Sequence, residues 1–116
     1  MRHKKKGKKL ERDKDHRKAL LANLVNSLLF HEEITTTKAK AKETVRFTEK
    51  IITLAKKNSL HSRRGVLKFL RDKRVVSKLF EVITPRYENR KGGYTQIVKL
   101  GYRKGDNALM CKVKLL

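Results

Sequence analysis

Cysteine, histidine and the carboxylates are the side chains here with covalent or acid–base chemistry, and their spacing gives them little to do. Cys111 is the only cysteine. One thiol makes no intrachain disulfide, and a catalytic thiol needs a base and an orienting group beside it. It falls at an alternating apolar position of Leu109-Met110-Cys111-Lys112-Val113-Lys114-Leu115, which suits a small core residue. His3 and His16 lie in or near a basic stretch, His31 at a helix end and His61 early in a helix, with no metal-binding spacing among them. Asp13, Asp15, Asp72 and Asp106 occupy cap or turn positions. No glycine loop leads into Lys and Ser/Thr as a phosphate-cradling loop would. The sequence therefore predicts no enzyme, no cofactor, no metal and no small-molecule substrate.

What it offers instead is recognition of phosphate by fixed positive charge. The amino-terminal stretch carries Arg2, His3, Lys4, Lys5, Lys6, Lys8, Lys9, Arg12 and Arg17, with no apolar residue after Met1 until Leu10. Such a stretch has nothing to pack on a core, so residues 1–12 are expected to form a basic arm that orders on a polyanion. Arg63 and Arg64 lie near a helix start, where free N–H groups favour anions; a solvated charged face is the alternative. Arg86 precedes Tyr87. Arg90, Lys91, Gly92, Gly93 and Tyr94 then interleave cations, glycines and an aromatic ring. Glycines admit a close backbone approach, arginine binds phosphate bidentately, and tyrosine either stacks on a base or packs in the core. Arg103 and Lys104 make a second basic tip before Gly105-Asp106.

The elements that must position these residues follow from periodicity. Leu21, Leu24, Val25 and Leu28 stand at i, i+3, i+4 and i+7 in a helix capped by Asp13 or Asp15, widened by Leu20 and Leu29. Ile34 to Thr37 is β-branched and reads as a short strand. Thr37 is expected to cap a second helix, Lys38 to about Lys57, with Ala41, Val45, Ile52 and Ala55 on one face and Asn58 at its end. Ser59 suits the cap of a third helix through Leu70 with Val66, Leu67 and Leu70 inward; Gly65 inside it costs up to about 1 kcal/mol against Ala. Asp72 begins a fourth helix carrying Val76, Leu79, Phe80 and Ile83, closed by Pro85. Tyr94 to Tyr102 and Leu109 to Leu115 read as strands of a hairpin. Residues 13–116 are expected to form a single globular domain.

Charge selects among function classes. Lys and Arg number 32 against 11 Asp and Glu, a formal net charge of +21 on 116 residues. So much like charge opposes folding unless a polyanion balances it, and each phosphate contacted releases counterions. Three classes share the charge: an RNA-binding scaffold, a DNA-binding protein using the fourth helix, and a protein of anionic membrane surfaces. The fourth helix has few side chains suited to base edges, and the apolar stripes resemble core rather than membrane faces. With no signal-peptide-like run and no bilayer-length apolar stretch, the expected compartment is the reducing cytoplasm.

The ordered series Met1-Arg2-His3, His16-Arg17, Ile34-Thr35-Thr36, Ala39-Lys40-Ala41-Lys42-Glu43, Ile52-Thr53-Leu54-Ala55-Lys56, Pro85-Arg86-Tyr87, Arg90 with Gly92-Gly93-Tyr94-Thr95, and Gly105-Asp106-Asn107-Ala108 covers nearly the whole chain. It resembles the L-seventeen family of bacterial large-subunit ribosomal proteins. The chain departs from the family's usual Gly at Thr84, its usual Arg at Gln96, and its acid-containing end at Lys112 to Leu116. The resemblance implies an α+β fold of about four helices on a small three-stranded mixed sheet, with an extended basic amino-terminal arm. It also implies binding to large-subunit ribosomal RNA near the nascent-peptide exit region, beside other ribosomal proteins including the small L-thirty-two protein.

Overall fold

The computed structural model describes residues 14–116; Asp13 and the amino-terminal residues read above as an arm lie outside it. Helix α1 (Lys14–His31) buries Leu21, Val25, Leu28 and Leu29, the stripe its spacing dictates. Asp15 sits inside the first turn and is not the cap. The helix ends on Glu32, whose N–H donates to Leu28 O at 2.7 Å and whose φ is +67°. A left-handed residue commonly follows a helix, but it is usually glycine or asparagine.

Strand β1 (Glu33–Thr37) runs straight into α2 (Lys38–Lys56). Thr37 stands at the cap position, but its side chain makes no capping bond, contrary to expectation. The residue is committed to the sheet, opposite Met110. Asn58 takes the expected left-handed conformation beyond the helix, φ +47°. Ser59 caps α3 (Leu60–Phe69) through a reciprocal pair of bonds with Ser62. Val66 and Leu70 point inward as expected; Leu67 is 45% exposed and does not. Gly65 has a packing reason to be there, since a Cβ would lie 3.1 Å from Leu54 Cδ2 of α2. Its lost helix propensity is exchanged for close contact between the two helices.

Asp72 caps α4 (Lys73–Lys78) by accepting from Arg74 N–H at 3.0 Å. This helix passes without a break into a π-helical turn (Leu79–Ile83) and a last turn, α5 (Thr84–Arg86). The widened turn answers Pro85, which has no N–H to give. Thr84 N–H reaches back to Leu79 O. The Phe80 carbonyl, which in that pattern would await the missing N–H of residue 85, accepts instead from the Thr84 hydroxyl at 3.1 Å. Thr84 therefore supplies a local hydrogen bond where the proline removes one.

Strands β2 (Thr95–Tyr102) and β3 (Leu109–Leu115) form the expected hairpin, and β1 pairs on the far side of β3, giving the order β1-β3-β2. The α+β architecture is as expected, but the sheet is antiparallel throughout rather than mixed. β1 and β2 do run parallel to one another, yet β3 lies between them. Cys111, Val113 and Leu115 face the helices, while Met110, Lys112 and Lys114 alternate outward. The core joins them to Val25, Leu28, Ile52, Leu79 and Ile83.

Candidate nucleic-acid interface

The glycine loop is held from beneath. Tyr94 is buried at 1% exposure, its ring centroid 5.1 Å from that of Tyr87. Its N–H donates to both Glu49 carboxylate oxygens at 3.1 and 3.0 Å, and its hydroxyl donates to Arg90 O at 3.2 Å. Lys56 donates to Tyr94 Oη at 3.1 Å and to Arg90 O as well. Of the two roles open to this tyrosine, stacking on a base and packing in the core, the ring takes the second: it is buried against Tyr87, and the residue positions the loop. Above it, Gly92 and Gly93 are open, with nothing within 4 Å of a hypothetical Cβ, and Gly93 has φ +64°. Arg90 Nη1 donates to Gly93 O at 3.1 Å, which leaves the rest of the guanidinium free to reach an anion. Lys91 is exposed and has no partner among the described residues.

The second tip is built on its own acid. Arg103 grips Asp106 with Nε and Nη2 at 2.9 and 2.6 Å, and Asp106 also accepts from Ala108 N–H at 3.2 Å. The Arg103 guanidinium holds the Asp106 carboxyl down to about 2. Lys104 projects from this turn without a partner among the described residues. The two tips do not make one cluster: β2 separates them by its eight residues, about 26 Å at strand rise.

The other arginines divide by occupation. Arg86 is a strut, gripping Glu32 with Nη1 and Nη2 at 2.6 and 3.2 Å, while Lys78 reaches the same carboxylate at 3.1 Å. Its guanidinium is raised above its ordinary pKa by that bond. The pair explains how a non-glycine residue holds the left-handed turn after α1. Arg63 lies 4.3 Å over the Phe80 ring and donates to Asn58 Oδ1 at 3.3 Å, so it packs α3 on the π turn. Arg64 is exposed with no partner among the described residues. The start of α3 is already served by Ser59, which takes the Ser62 N–H that an anion would need. Arg17 is half-buried on α1. Arg2, His3, Lys4, Lys5, Lys6, Lys8, Lys9 and Arg12 lie outside the described residues. Sequence reasoning missed Glu49 and Lys56 as the loop's anchors; neither has a local signal, since their partners lie 34 to 45 residues away.

Glu32 gives the site an acid-sensitive joint. The Arg86 hydrogen bond lowers its carboxyl from 4.5 to about 2, outweighing the opposing effect of burial. A depressed carboxyl stabilises the fold fully above its unfolded value, and that contribution is lost as pH falls from 4.5 towards 2. The Glu32 side chain is 36% exposed, so solvent screening reduces the expected amount to about 1 kcal/mol. Urea unfolding of wild type and Glu32→Gln across that range is expected to show the gap between them closing with acid. A gap that does not change with pH contradicts the assignment.

Val75, Val76, Leu79 and Phe80 are buried, so the apolar stripe of the fourth helix is spent on the core. The stripes of α1 and α2 are spent on the core. Among the described residues no helix is long and apolar enough to cross a membrane, and no group of three His, Cys, Asp or Glu is placed to hold a metal.

Residues 20–116 match the family described as Ribosomal protein L17. The chain belongs to the ribosomal protein L17 family. Over all 116 residues it is 52% identical to a large ribosomal subunit protein bL17 from Syntrophotalea carbinolica, of which it spans 75%. It is 53% identical over the same length to the bL17 protein of Geobacter metallireducens, of which it spans 65%. Against that of Natranaerobius thermophilus it is 56% identical over 109 residues, covering 94% of this chain and 96% of the relative. The resemblance carried by the motifs is thereby established as membership. Ribosomal L17 proteins are structural components rather than enzymes, and this chain is not an enzyme.

Proposed function

We propose that this chain is a structural constituent of the large subunit of the cytoplasmic ribosome. It binds large-subunit ribosomal RNA near the nascent-peptide exit region, beside other ribosomal proteins including the small L-thirty-two protein. Residues 1–12 act as a basic arm and residues 13–116 as one globular domain. The observation that carries the reading is the net charge of +21 on 116 residues. Contacts fall to Arg2, Lys4, Lys5, Lys6, Lys8, Lys9 and Arg12 in the arm. On the domain they fall to Arg17, Arg64, the Arg90-Lys91-Gly92-Gly93 loop and Lys104. Arg63, Arg86 and Arg103 are partly or wholly engaged within the fold and serve chiefly to hold these positions.

The test is cosedimentation with large subunits across a salt series. The chain is expected to travel with them at moderate salt and leave at high salt; recovery mainly on chromosomal DNA would overturn the reading. Replacing Arg90 and Lys91 together with Ala should lower the slope of log affinity against log salt by about 1 to 2, one phosphate contact being worth slightly under one. An unchanged slope would remove the glycine loop from the interface.

A further inference from the structure

The hairpin leaves one edge of the sheet open, and it is not a neutral edge. β2 pairs with β3 alone, and along it Ile97, Val98, Leu100 and Tyr102 are exposed by 37, 38, 51 and 69%. Ile97 stands opposite Val113, on the face that carries the helices, yet Val113 is wholly buried. Ile97 lies at the rim of the helical layer, where it is 37% exposed and forms an apolar step. On the other face Val98 stands opposite Lys112, which is itself paired with Glu33 at 3.3 Å.

Which backbone groups face outward follows from the ladder. Leu116 N–H donates to Tyr94 O at 2.9 Å, one register step before the Thr95–Leu115 pair. Hydrogen-bonded and non-bonded pairs alternate along an antiparallel ladder. Residues 96 and 98 therefore bond to β3, while Thr95, Ile97 and Lys99 turn their N–H and C=O groups outward. Leu115 N–H donating to Glu32 O, on the opposite side of β3, agrees with this phase. Natural edges are usually blunted by proline, charge or a bulge. Here the bulge between Lys99 and Gly101 interrupts the far half of β2 and leaves Thr95–Lys99 regular.

We propose that the Thr95–Lys99 edge receives an extended segment of a second, different polypeptide, added as a fourth strand, with apolar side chains over Ile97 and Val98 and a carboxylate opposite Lys99. This rests on the reading that the chain resides in a ribosomal particle. Three other occupants fit worse. A second copy would bring two surfaces of +21 together. RNA has little use for aliphatic side chains in this position, since it lacks the thymine methyl that such side chains read in DNA. The chain's own residues 1–9 contain no apolar residue beyond Met1 to cover the step. Strand addition uses both assets present, the outward main-chain groups for affinity and alternate side chains for specificity.

The experiment places a photoreactive residue at position 98 of the full chain, in large subunits isolated from cells, and maps its crosslinks. The expected product joins position 98 to a segment of another protein. Ile97→Pro, which deletes one outward N–H at an edge position that tolerates proline, should cut its yield roughly tenfold, the equivalent of about 1.4 kcal/mol. Deuterium uptake over 95–99 should be at least about tenfold slower in the particle than in the free wild-type chain, a readout independent of how the proline variant folds. Crosslinks to RNA or to a second copy, or uptake unchanged by assembly, overturn the proposal while the chain's presence in the particle stands. Absence of the chain from the particles overturns the ribosomal reading and this proposal with it.

Discussion

Deleting residues 1–9 is expected to weaken binding to large-subunit ribosomal RNA, most strongly at low salt, and to flatten its salt dependence. The segment contains six Lys and Arg: Arg2, Lys4, Lys5, Lys6, Lys8 and Lys9. If each neutralises one phosphate, the slope of log affinity against log salt falls by about 5, slightly under one per contact. The same deletion should change the unfolding free energy of the isolated chain by no more than about 0.5 kcal/mol, because nothing in the segment after Met1 is apolar enough to join a core. Filter binding over a salt series and urea unfolding of the free chain make the pair of measurements. A retained slope would remove the arm from the interface. A stability loss of several kcal/mol would show that residues 1–9 pack on the domain.

The acids explain how a chain so short of negative charge folds at all. Glu32, Glu33, Glu43, Asp72 and Asp106 each take part in an ion pair, and Glu49 accepts the Tyr94 backbone N–H. Four sit at joints: Glu32 in the turn after α1, Glu33 across β1 and β3, Asp72 at the α4 cap and Asp106 in the hairpin turn; Glu43 and Glu49 lie within α2. Those four carboxylates are placed where segments of the chain meet. Exposed pairs contribute little singly. Their placement still lowers the self-repulsion of the domain where its segments converge.

What the sequence made legible was local. The fourth helix is the clearest case: Val76, Leu79, Phe80 and Ile83 repeat at helical spacing, and all four are buried. The Ser59 and Asp72 caps and the alternation of Cys111, Val113 and Leu115 are equally short-range signals, and they hold. Long-range features were not legible. Arg86 looks like a free cation beside an aromatic until Glu32, 54 residues earlier, is brought against it. Tyr94 looks equally suited to stacking and packing until Glu49 and Lys56 close beneath it. Leu67 shares the spacing of its buried neighbours but is left on the surface. The two basic tips stand close in sequence, and the extended length of β2 between them is what holds them apart.

Ile52→Ala is expected to cost about 2–5 kcal/mol, the range for truncating a fully buried isoleucine where neighbours cannot collapse into the space. Ile52 is wholly buried on α2, the helix that touches α1, α3, the π turn and all three strands. The loss would lower the melting temperature by about 10–20 °C in a chain of this size. Ile52→Val removes a single methylene and should cost about 0.5–1.5 kcal/mol, so the pair brackets the cavity contribution. Below its melting transition the Ala variant should bind ribosomal RNA with the wild-type salt slope, because none of the proposed contact residues touches the cavity. That result, beside arm deletion with stability retained, would show that the fold is made by apolar burial and the binding by unmatched cations, on separate residues. A salt slope that falls with Ile52→Ala at a temperature where the chain is folded would instead mean that the core sets the loop geometry, and through Glu49 and Lys56 of the same helix that coupling would have a physical route.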